Sequence, residues 1–533
     1  MKELKELKLE ELSLRQKLGM TMTAHVGKLS DVDSVVELLK EHSLGAVWVI
    51  SGLKDREEIM RRIHETADYP VLIMGDAESG MGKNTVGKHN AIGCTGSEHL
   101  AYMFGKVTGL TARKMGYNVI CDPVLDMVSA NSPCGGTIRS YGRDKYQVTK
   151  LARAEAMGFH DAGVLTVAKH YPGKPMEKEN GAFKVDSHMG ENFCDATAEE
   201  LLDYSLYPYI ELNKEGLIDG VMLKHTRFVN IDPDYPASLS SKVIKLFRDQ
   251  GFEGFSVTDG LTMMAVVAKF GKKDGITISV GNGADLALPY GVIDNFSVLE
   301  ALEEAYEAGV ISDERLNEAA TRVLAAQHKT LALPKYTDLT DEDLAEFAKI
   351  NTDSVFEKRD EGVAPALKKD GRYFFAVLTE TEIDIENRDA IAVDTLDKGW
   401  YKPYKITDKL KEYFPNSRVE TISEYPSRLR IMNILEDSID WDEVVFVTFF
   451  NGAAYIGTEC FTSRIISVMR AMQASNRIST ILHCGNPFVL EDVPHIPRMV
   501  IATCSEAGVN AGIDVLAGKR EAKGVLTYNV KLP

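Results

Sequence analysis

Basic residues are outnumbered in this chain, and it has no long apolar runs. Lys and Arg number 61 against 79 Asp and Glu, which gives a formal net charge of −18. Nucleic-acid-binding proteins show a basic face, and anionic membranes attract basic segments, so this charge argues against both kinds of partner. No apolar run reaches the ~18 residues that a bilayer span requires.

Cysteine is also scarce. The seven cysteines are an odd number, are widely scattered and form no CxxC motif. A disulfide framework and a structural zinc site are therefore not expected. Residues 1–19 are charged and helix-like and lack the apolar core of a signal peptide. These features predict a cytoplasmic protein, in which the thiols stay reduced.

With 533 residues, the chain is too long for one hydrophobic core, so more than one domain is expected. Eight short β-rich runs alternate with amphipathic stretches, which predicts a (β/α)8 barrel over 1–335, with a doubly wound sheet as the alternative. The eight runs are 20–26, 45–50, 71–76, 118–123, 165–170, 220–225, 254–260 and 284–289.

The placement of polar residues favours the barrel. Asp76, Asp122, the pair Lys169-His170, the pair Lys224-His225 and Asp259 all fall at the C-terminal ends of predicted strands. In a barrel these ends form one face and surround one site.

A polar stretch over 336–370 resembles a connector, and a second α/β pattern follows over 371–533. Its predicted strands are 372–379, 443–450, 479–485, 498–504 and 524–530. These runs are apolar on both faces, as in a mostly parallel sheet covered by helices. An α/β sandwich is therefore expected after the barrel.

Two motifs suggest catalytic groups. Asp259 ends a β-rich run, which suits a nucleophile that needs a fixed approach angle, although an Asp before Gly-Leu-Thr also suits a helix N-cap. Asp186 and His188 lie two residues apart in VDSH. A carboxylate bonded to an imidazole fixes its tautomer and favours acid/base chemistry, and a solvated turn is the alternative.

Three further segments could bind a ligand. Lys169 and His170 end a strand, where neighbouring side chains normally face opposite ways, and His170 or His225 could be a buried structural histidine. Asp76 could accept bonds from vicinal sugar hydroxyls or cap a turn. Arg139 could donate to a ligand or form a surface ion pair.

Read together, these segments resemble glycoside hydrolase family 3, most closely its β-N-acetylhexosaminidase branch. The co-linear motifs cover about residues 8–330. They are DAESG, RSYG, KHYPG, VDSH, VMLKH with PASLS, TDGLTM and GADLAL.

The resemblance implies a barrel with the sugar at its C-terminal face and a retaining mechanism without metal or cofactor. Asp259 is then the nucleophile and His188 the acid/base, oriented by Asp186. The implied ligands of the terminal sugar are Asp76, Arg139, Lys169, His170 and His225.

The chain departs from the family pattern between Pro-Gly and VDSH. The stretch KPMEKENGAFKVDSH is longer than in the family and contains Glu177 and Glu179, which are alternative acids. The expected partner is a small carbohydrate, and the resemblance implies a terminal β-N-acetylglucosaminide. A β-glucosidase, a phosphorylase and an inactive sugar-binding protein are the alternatives.

Overall fold

The computed structural model describes residues 4–128, 138–173, 185–291, 293–379, 403–450, 460–528 and 530–533. Within these ranges the chain forms two compact units. The first takes residues 4–85, 97–128 and 139–347, and the second takes 86–96, 138 and the described residues from 348 onward. No helix in the described ranges is long and apolar enough to cross a membrane.

The first unit contains seven parallel strands that neighbour one another in sequence order. They are β1 (Thr23–Val26), β2 (Ala46–Val49), β3 (Leu72–Gly75), β4 (Val119–Ile120), β5 (Leu165–Tyr171), β6 (Gly220–Leu223) and β7 (Phe255–Thr258). This sequential parallel order excludes a doubly wound sheet, in which the strand order reverses at a switch point. The barrel prediction is confirmed.

Residues 284–289 close the barrel without forming a regular strand. Leu286 bridges to Val257 and Ala287 bridges to Met22, both in parallel. The N–H groups of Asp285 and Leu286 both donate to the carbonyl oxygen of Ser256, at 3.1 and 2.8 Å. Because two consecutive donors share one acceptor, the ladder is interrupted, and the predicted eighth strand is reduced to isolated bridges.

Apolar side chains fill the barrel. Those contributed by the strands include Trp48, Met74, Val167 and Val257, each at most 3% exposed. Helices follow the strands on the outside. The helices of this unit are Leu14–Met20, Val32–Lys40, Arg56–Thr66, Glu98–Lys114, Lys145–Ala162, Ala198–Glu200, the π-helix Leu201–Ser205, Tyr207–Lys214, Ser241–Arg248, Met264–Phe270, Lys272–Gly281, Asn295–Glu307 and Asp313–Leu331.

Short elements complete the first unit. They are the 3₁₀ turns Leu9–Glu11, Leu29–Asp31 and Ala237–Leu239, the antiparallel pair Gly80–Met81 and Asn84–Thr85, and the parallel pair Asn192–Cys194 and Thr226–Phe228. The helix Asp341–Asp353 crosses the boundary between the units along the chain. It lies in the stretch for which only a connector was expected.

The second unit is a six-stranded sheet. In chain order its strands are β8 (Phe356–Arg359), β9 (Tyr373–Thr379), β10 (Arg418–Ser423), β11 (Glu443–Phe450), β12 (Ile478–Gly485) and β13 (Arg498–Ala502). All pairs are parallel except β8 with β13. Its helices are His89–Thr95, Pro403–Tyr413, Arg428–Asp437, Ser463–Ala474 and Glu506–Leu516, with 3₁₀ turns Ser438–Asp440 and Pro487–Asp492.

Alternate residues of this sheet enter two separate apolar clusters. Phe374 and Phe446 belong to one, and Phe375 and Val447 belong to the other. Both faces are therefore buried, as the apolar runs predicted. The predicted strand over 524–530 is wrong for its described residues. The N–H of Gly524 bonds a single carbonyl, that of Val355, and no ladder follows.

Candidate active site

The polar residues predicted at the strand ends lie on one face of the barrel. Asp76 directly follows β3, Lys169 and His170 lie near the end of β5, and Asp259 directly follows β7. All these strands are parallel, so their C-terminal ends point the same way. Each side chain is thus fixed by a strand backbone and presented at the mouth of the barrel.

Lys169 is the centre of a charged cluster. Its Nζ lies 2.5 Å from Asp76 Oδ1 and 2.8 Å from Glu78 Oε1, and its side chain is only 1% exposed. Burial lowers the pKa of Lys169, but the carboxylates of Asp76 and Glu78 outweigh burial and hold that pKa well above its ordinary value. Lys169 is therefore a permanent cation inside the mouth.

Arg139 joins this cluster from the other side. Its Nε and a terminal nitrogen donate to the two oxygens of Glu78, each at 2.7 Å. Such a bidentate pair fixes the plane of the guanidinium. The alternative of a surface ion pair does not apply, because the Glu78 side chain is 11% exposed.

His170 is held on both ring nitrogens. Nδ1 lies 2.7 Å from Asp126 Oδ2, and Nε2 lies 3.0 Å from an Arg139 nitrogen. Because arginine can only donate, Nε2 must accept, and the ring proton sits on Nδ1. Burial, and then the charge of Arg139, lower the pKa of His170, in agreement with a neutral ring.

The structure changes one interpretation of this strand. Lys169 and His170 were expected to face opposite ways, yet both contact the group formed by Glu78 and Arg139. The register of β5 with β6 shifts between Lys169 and Tyr171, so the usual alternation is broken at this point.

Asp186 and His188 form a bonded pair. Asp186 Oδ1 accepts from the backbone N–H of His188 at 2.9 Å and lies 2.7 Å from its Nδ1. The Asp186 side chain is fully buried, and that of His188 is 20% exposed. Hydrogen bonds to a buried carboxylate therefore hold the pair together, which excludes the alternative of a solvated turn.

The loop that carries this pair is tied to the segment after Asp259. The N–H of Met264 donates to the carbonyl of His188 at 3.4 Å, and that of Ala265 donates to Ser187 at 3.1 Å. The alternative acids Glu177 and Glu179 lie outside the described residues.

Asp259 is not a helix cap. The following helix begins at Met264, and its N-cap residue is Met263. Asp259 Oδ1 instead accepts from the N–H of Gly260 at 2.8 Å. Burial raises the pKa of Asp259, but the imidazoles of His170 and His225, which are charged only in the acid range, this N–H and the charge of Arg139 leave that pKa below its ordinary value. The carboxylate is thus ionised at neutral pH.

His225 holds the turn that carries Asp259. Its Nδ1 lies 2.7 Å from Ser238 Oγ and its Nε2 lies 2.9 Å from the carbonyl oxygen of Gly260. Burial lowers the pKa of His225, and the charges of Asp259 and His188 also act on it. A neutral ring with two protein partners has no nitrogen left for a ligand.

Two residues of the cluster were missed from the sequence: Glu78 and Asp126. Lys224, which was predicted at a strand end of this face without a role, also belongs to the cluster. Lys224 Nζ bonds Asp126 Oδ1 at 2.8 Å, which links it to His170. Glu78 stands inside the quoted DAESG motif and therefore carried a signal. Asp126 belongs to none of the quoted motifs, and no sequence pattern indicated it.

A family model described as "Glycosyl hydrolase family 3 N terminal domain" matches residues 5–326. The chain is 32% identical over 222 residues to the Beta-hexosaminidase LpqI of Mycobacterium tuberculosis. That match covers 40% of this chain and 55% of the relative, so the chain spans about half the length of this curated relative.

Two solved structures share the whole architecture. A glycoside hydrolase family 3 beta-N-acetylglucosaminidase from Paenibacillus sp. str. FPU-7 matches with a TM-score of 0.81 and 25% identity over 98% of this chain and 100% of that one. Beta-glucoside phosphorylase BglX matches in fold, with a TM-score of 0.79 and 22% identity over 98% of this chain and 94% of that one.

Proposed function

Since the chain belongs to glycosyl hydrolase family 3, we propose that it is an exo-acting, retaining β-glycosidase that acts on terminal β-N-acetylglucosaminides. The bonded pair of Asp186 and His188, tied to the segment after an ionised Asp259, carries this proposal. In this proposal His188 is the proton donor and Asp259 is the nucleophile, the two groups that a retaining enzyme requires.

In the first step, the Asp259 carboxylate attacks the anomeric carbon of the terminal sugar. The bond from that carbon to the glycosidic oxygen breaks, and His188 gives its Nε2 proton to the departing oxygen. The products of this step are the free alcohol and a glycosyl ester of Asp259. Asp186 keeps the other ring proton on Nδ1 and stabilises the imidazolium before transfer.

In the second step, the same imidazole acts as a base. His188 Nε2 takes a proton from a water molecule, whose oxygen attacks the anomeric carbon and displaces Asp259. Two inversions give net retention, and His188 returns to its protonated state.

The charged cluster is the proposed site for the sugar hydroxyls. Asp76 has a side chain that is 53% exposed, so it can accept bonds from a ligand while Lys169 fixes its position. Lys169 and Arg139 are the donors. His170 and His225, whose ring nitrogens bond protein atoms, position Arg139 and the Asp259 turn respectively.

The preference for an N-acetylglucosaminide rests on the relatives. Beta-hexosaminidase is the name of the mycobacterial relative, and the Paenibacillus structure is that of a beta-N-acetylglucosaminidase. The test compares 4-nitrophenyl N-acetyl-β-glucosaminide with 4-nitrophenyl β-glucoside. The proposal expects the higher kcat/KM on the first, and a higher value on the second would make the protein a β-glucosidase.

A phosphorylase is the second candidate, and the acid/base group favours it. A neutral imidazole repels an approaching phosphate less than a carboxylate would, so phosphate could attack the glycosyl ester in place of water. Adding inorganic phosphate and assaying for a sugar 1-phosphate separates phosphorolysis from hydrolysis.

A further inference from the structure

Three aromatic rings lie close together on the side of the barrel formed by β1 and β2. His25 lies in β1 and is in register with Trp48 of β2. Trp48 belongs to the apolar cluster inside the barrel, and partners in a parallel register point the same way. The His25 ring therefore also faces the barrel interior.

Tyr290 connects these rings to the proposed nucleophile. Its ring centroid lies 4.6 Å from that of His25 and 6.3 Å from that of Trp48. A Cβ atom added at Gly260 would lie 3.4 Å from Tyr290 Cβ. Tyr290 thus packs against the residue next to Asp259, yet 41% of it is exposed.

The ring nitrogens of His25 are buried without hydrogen bonds to the described residues. The residue is 9% exposed. Burial lowers the pKa of His25, against an opposite effect of Asp31, so the ring is neutral and offers one donor and one acceptor. A buried polar group without a partner is costly, which suggests that a ligand supplies one.

One edge of the ring is closed by backbone. A Cβ atom at Gly291 would lie 2.8 Å from His25 Nδ1, and one at Gly27 would lie 3.0 Å from its Cε1. A partner for the ring must therefore be small at this edge or approach from the mouth.

We propose that His25, Trp48 and Tyr290 form a wall of the substrate site, in which Tyr290 takes the apolar face of a pyranose ring and His25 hydrogen-bonds an uncharged group of the same substrate. This inference rests on the proposed glycosidase function. The C–H groups of a pyranose face pack on an aromatic ring as other apolar surfaces do. His25 and Tyr290 are then specificity-determining residues, whereas Trp48 supports them.

Two variants separate the contributions. Tyr290→Ala removes an exposed ring and should lower kcat/KM for the aryl N-acetylglucosaminide about tenfold, with little change in melting temperature. Tyr290→Phe should recover most of that loss, because it restores the face. His25→Phe keeps a ring against Tyr290 and should lower kcat/KM about tenfold through the lost hydrogen bond.

The matched control is Tyr146→Ala. Tyr146 is also an exposed aromatic residue, 60% exposed, but it lies in the helix Lys145–Ala162 and packs on Tyr207. Its kinetics should equal those of the wild type.

The kinetics are paired with the binding of free N-acetylglucosamine, glucose and xylose by calorimetry. A loss in the variants for all three sugars identifies packing on the pyranose face. If His25→Phe weakens the binding of N-acetylglucosamine further but not that of the other two sugars, His25 bonds the acetamido group. If it weakens the binding of N-acetylglucosamine and glucose but not that of xylose, His25 bonds the hydroxymethyl group. If folded Tyr290→Ala and His25→Phe both match the wild type, the wall does not exist. A wild type that neither binds nor cleaves any sugar would instead refute the proposed function.

Discussion

His188 is bonded twice to the same oxygen atom of Asp186, once through ring Nδ1 at 2.7 Å and once through its own backbone N–H at 2.9 Å. The backbone bond fixes where the residue sits, and the ring bond fixes how the imidazole is turned. Because the Asp186 side chain is fully buried, water does not compete for these bonds. The geometry is suited to a proton donor that must hold one tautomer.

The first prediction concerns this pair. His188→Ala should reduce cleavage of a natural disaccharide by about 10²–10⁴-fold, because a sugar alcohol is a poor leaving group that needs a proton. Formation of the intermediate from a dinitrophenyl glycoside should slow only mildly. Asp186→Asn should show the same dependence on the leaving group, with a smaller loss of rate. An equal rate loss for good and poor leaving groups would show that His188 is not the acid, and Glu177 and Glu179 would be tested next.

The second prediction concerns Asp259. Asp259→Ala should lower kcat on the order of 10⁴-fold or more, since the proposed mechanism forms the glycosyl ester on this carboxylate. The variant should keep its circular dichroism spectrum. Asp249→Ala is the matched control, because Asp249 is an acid that is 53% exposed and pairs with Lys245 on a helix surface. Substantial turnover by a folded Asp259→Ala enzyme would remove this residue from the mechanism.

The third prediction concerns sugar recognition by Asp76. A site that bonds hydroxyl groups loses several kcal/mol of discrimination when one partner is removed, so Asp76→Ala should lower kcat/KM by about 10²-fold or more. Melting temperature should change little, because the side chain is half exposed and Glu78 remains beside Lys169. A large fall in melting temperature with unchanged kinetics would instead mark Asp76 as structural.

The fourth prediction concerns the second unit. His483 is fully buried, with Nδ1 at 2.9 Å from Thr448 Oγ1 and Nε2 at 2.8 Å from the carbonyl oxygen of Asn486. Burial lowers its pKa to about 4, against an ordinary value of 6.5. As the pH falls, His483 of the unfolded chain binds a proton near pH 6.5, whereas His483 of the folded chain does so only near pH 4. The free energy of unfolding therefore decreases between pH 6.5 and pH 4.

This loss amounts to about 3 kcal/mol for the single group. Denaturant unfolding followed by tryptophan fluorescence, to which Trp441 of the same unit contributes, should show it between pH 7 and pH 4. The variant His483→Gln should lack this part of the pH dependence, although it is less stable at pH 7. A parallel fall in wild type and variant would contradict the assignment.

The fold was largely predictable because periodicity is local. Seven barrel strands fell where apolar runs predicted them. The strands Phe356–Arg359 and Arg418–Ser423 were missed because their residues are half exposed and polar, as edge strands often are. Their assignment depends on pairing with distant strands, which a sequence pattern does not reveal.

The position of the site could be predicted from the sequence, but the hydrogen bonds and ion pairs between its residues could not. Strand ends pointed to Asp76, Lys169 and Asp259, and the VDSH spacing pointed to the pair of Asp186 and His188. The bonds that set their protonation join Lys169 to Asp76 and Lys224 to Asp126, across 93 and 98 residues. Such tertiary contacts decide that His170 and His225 are neutral and doubly bonded, and no local motif encodes that.

The most direct test of the central claim is covalent trapping of the wild-type enzyme. A 2-fluoro glycoside with a dinitrophenolate leaving group forms the glycosyl ester quickly and releases it slowly, so the labelled enzyme can be digested and its peptides mapped by mass spectrometry. The account predicts one sugar per chain, attached to Asp259. A label on any other carboxylate would contradict it.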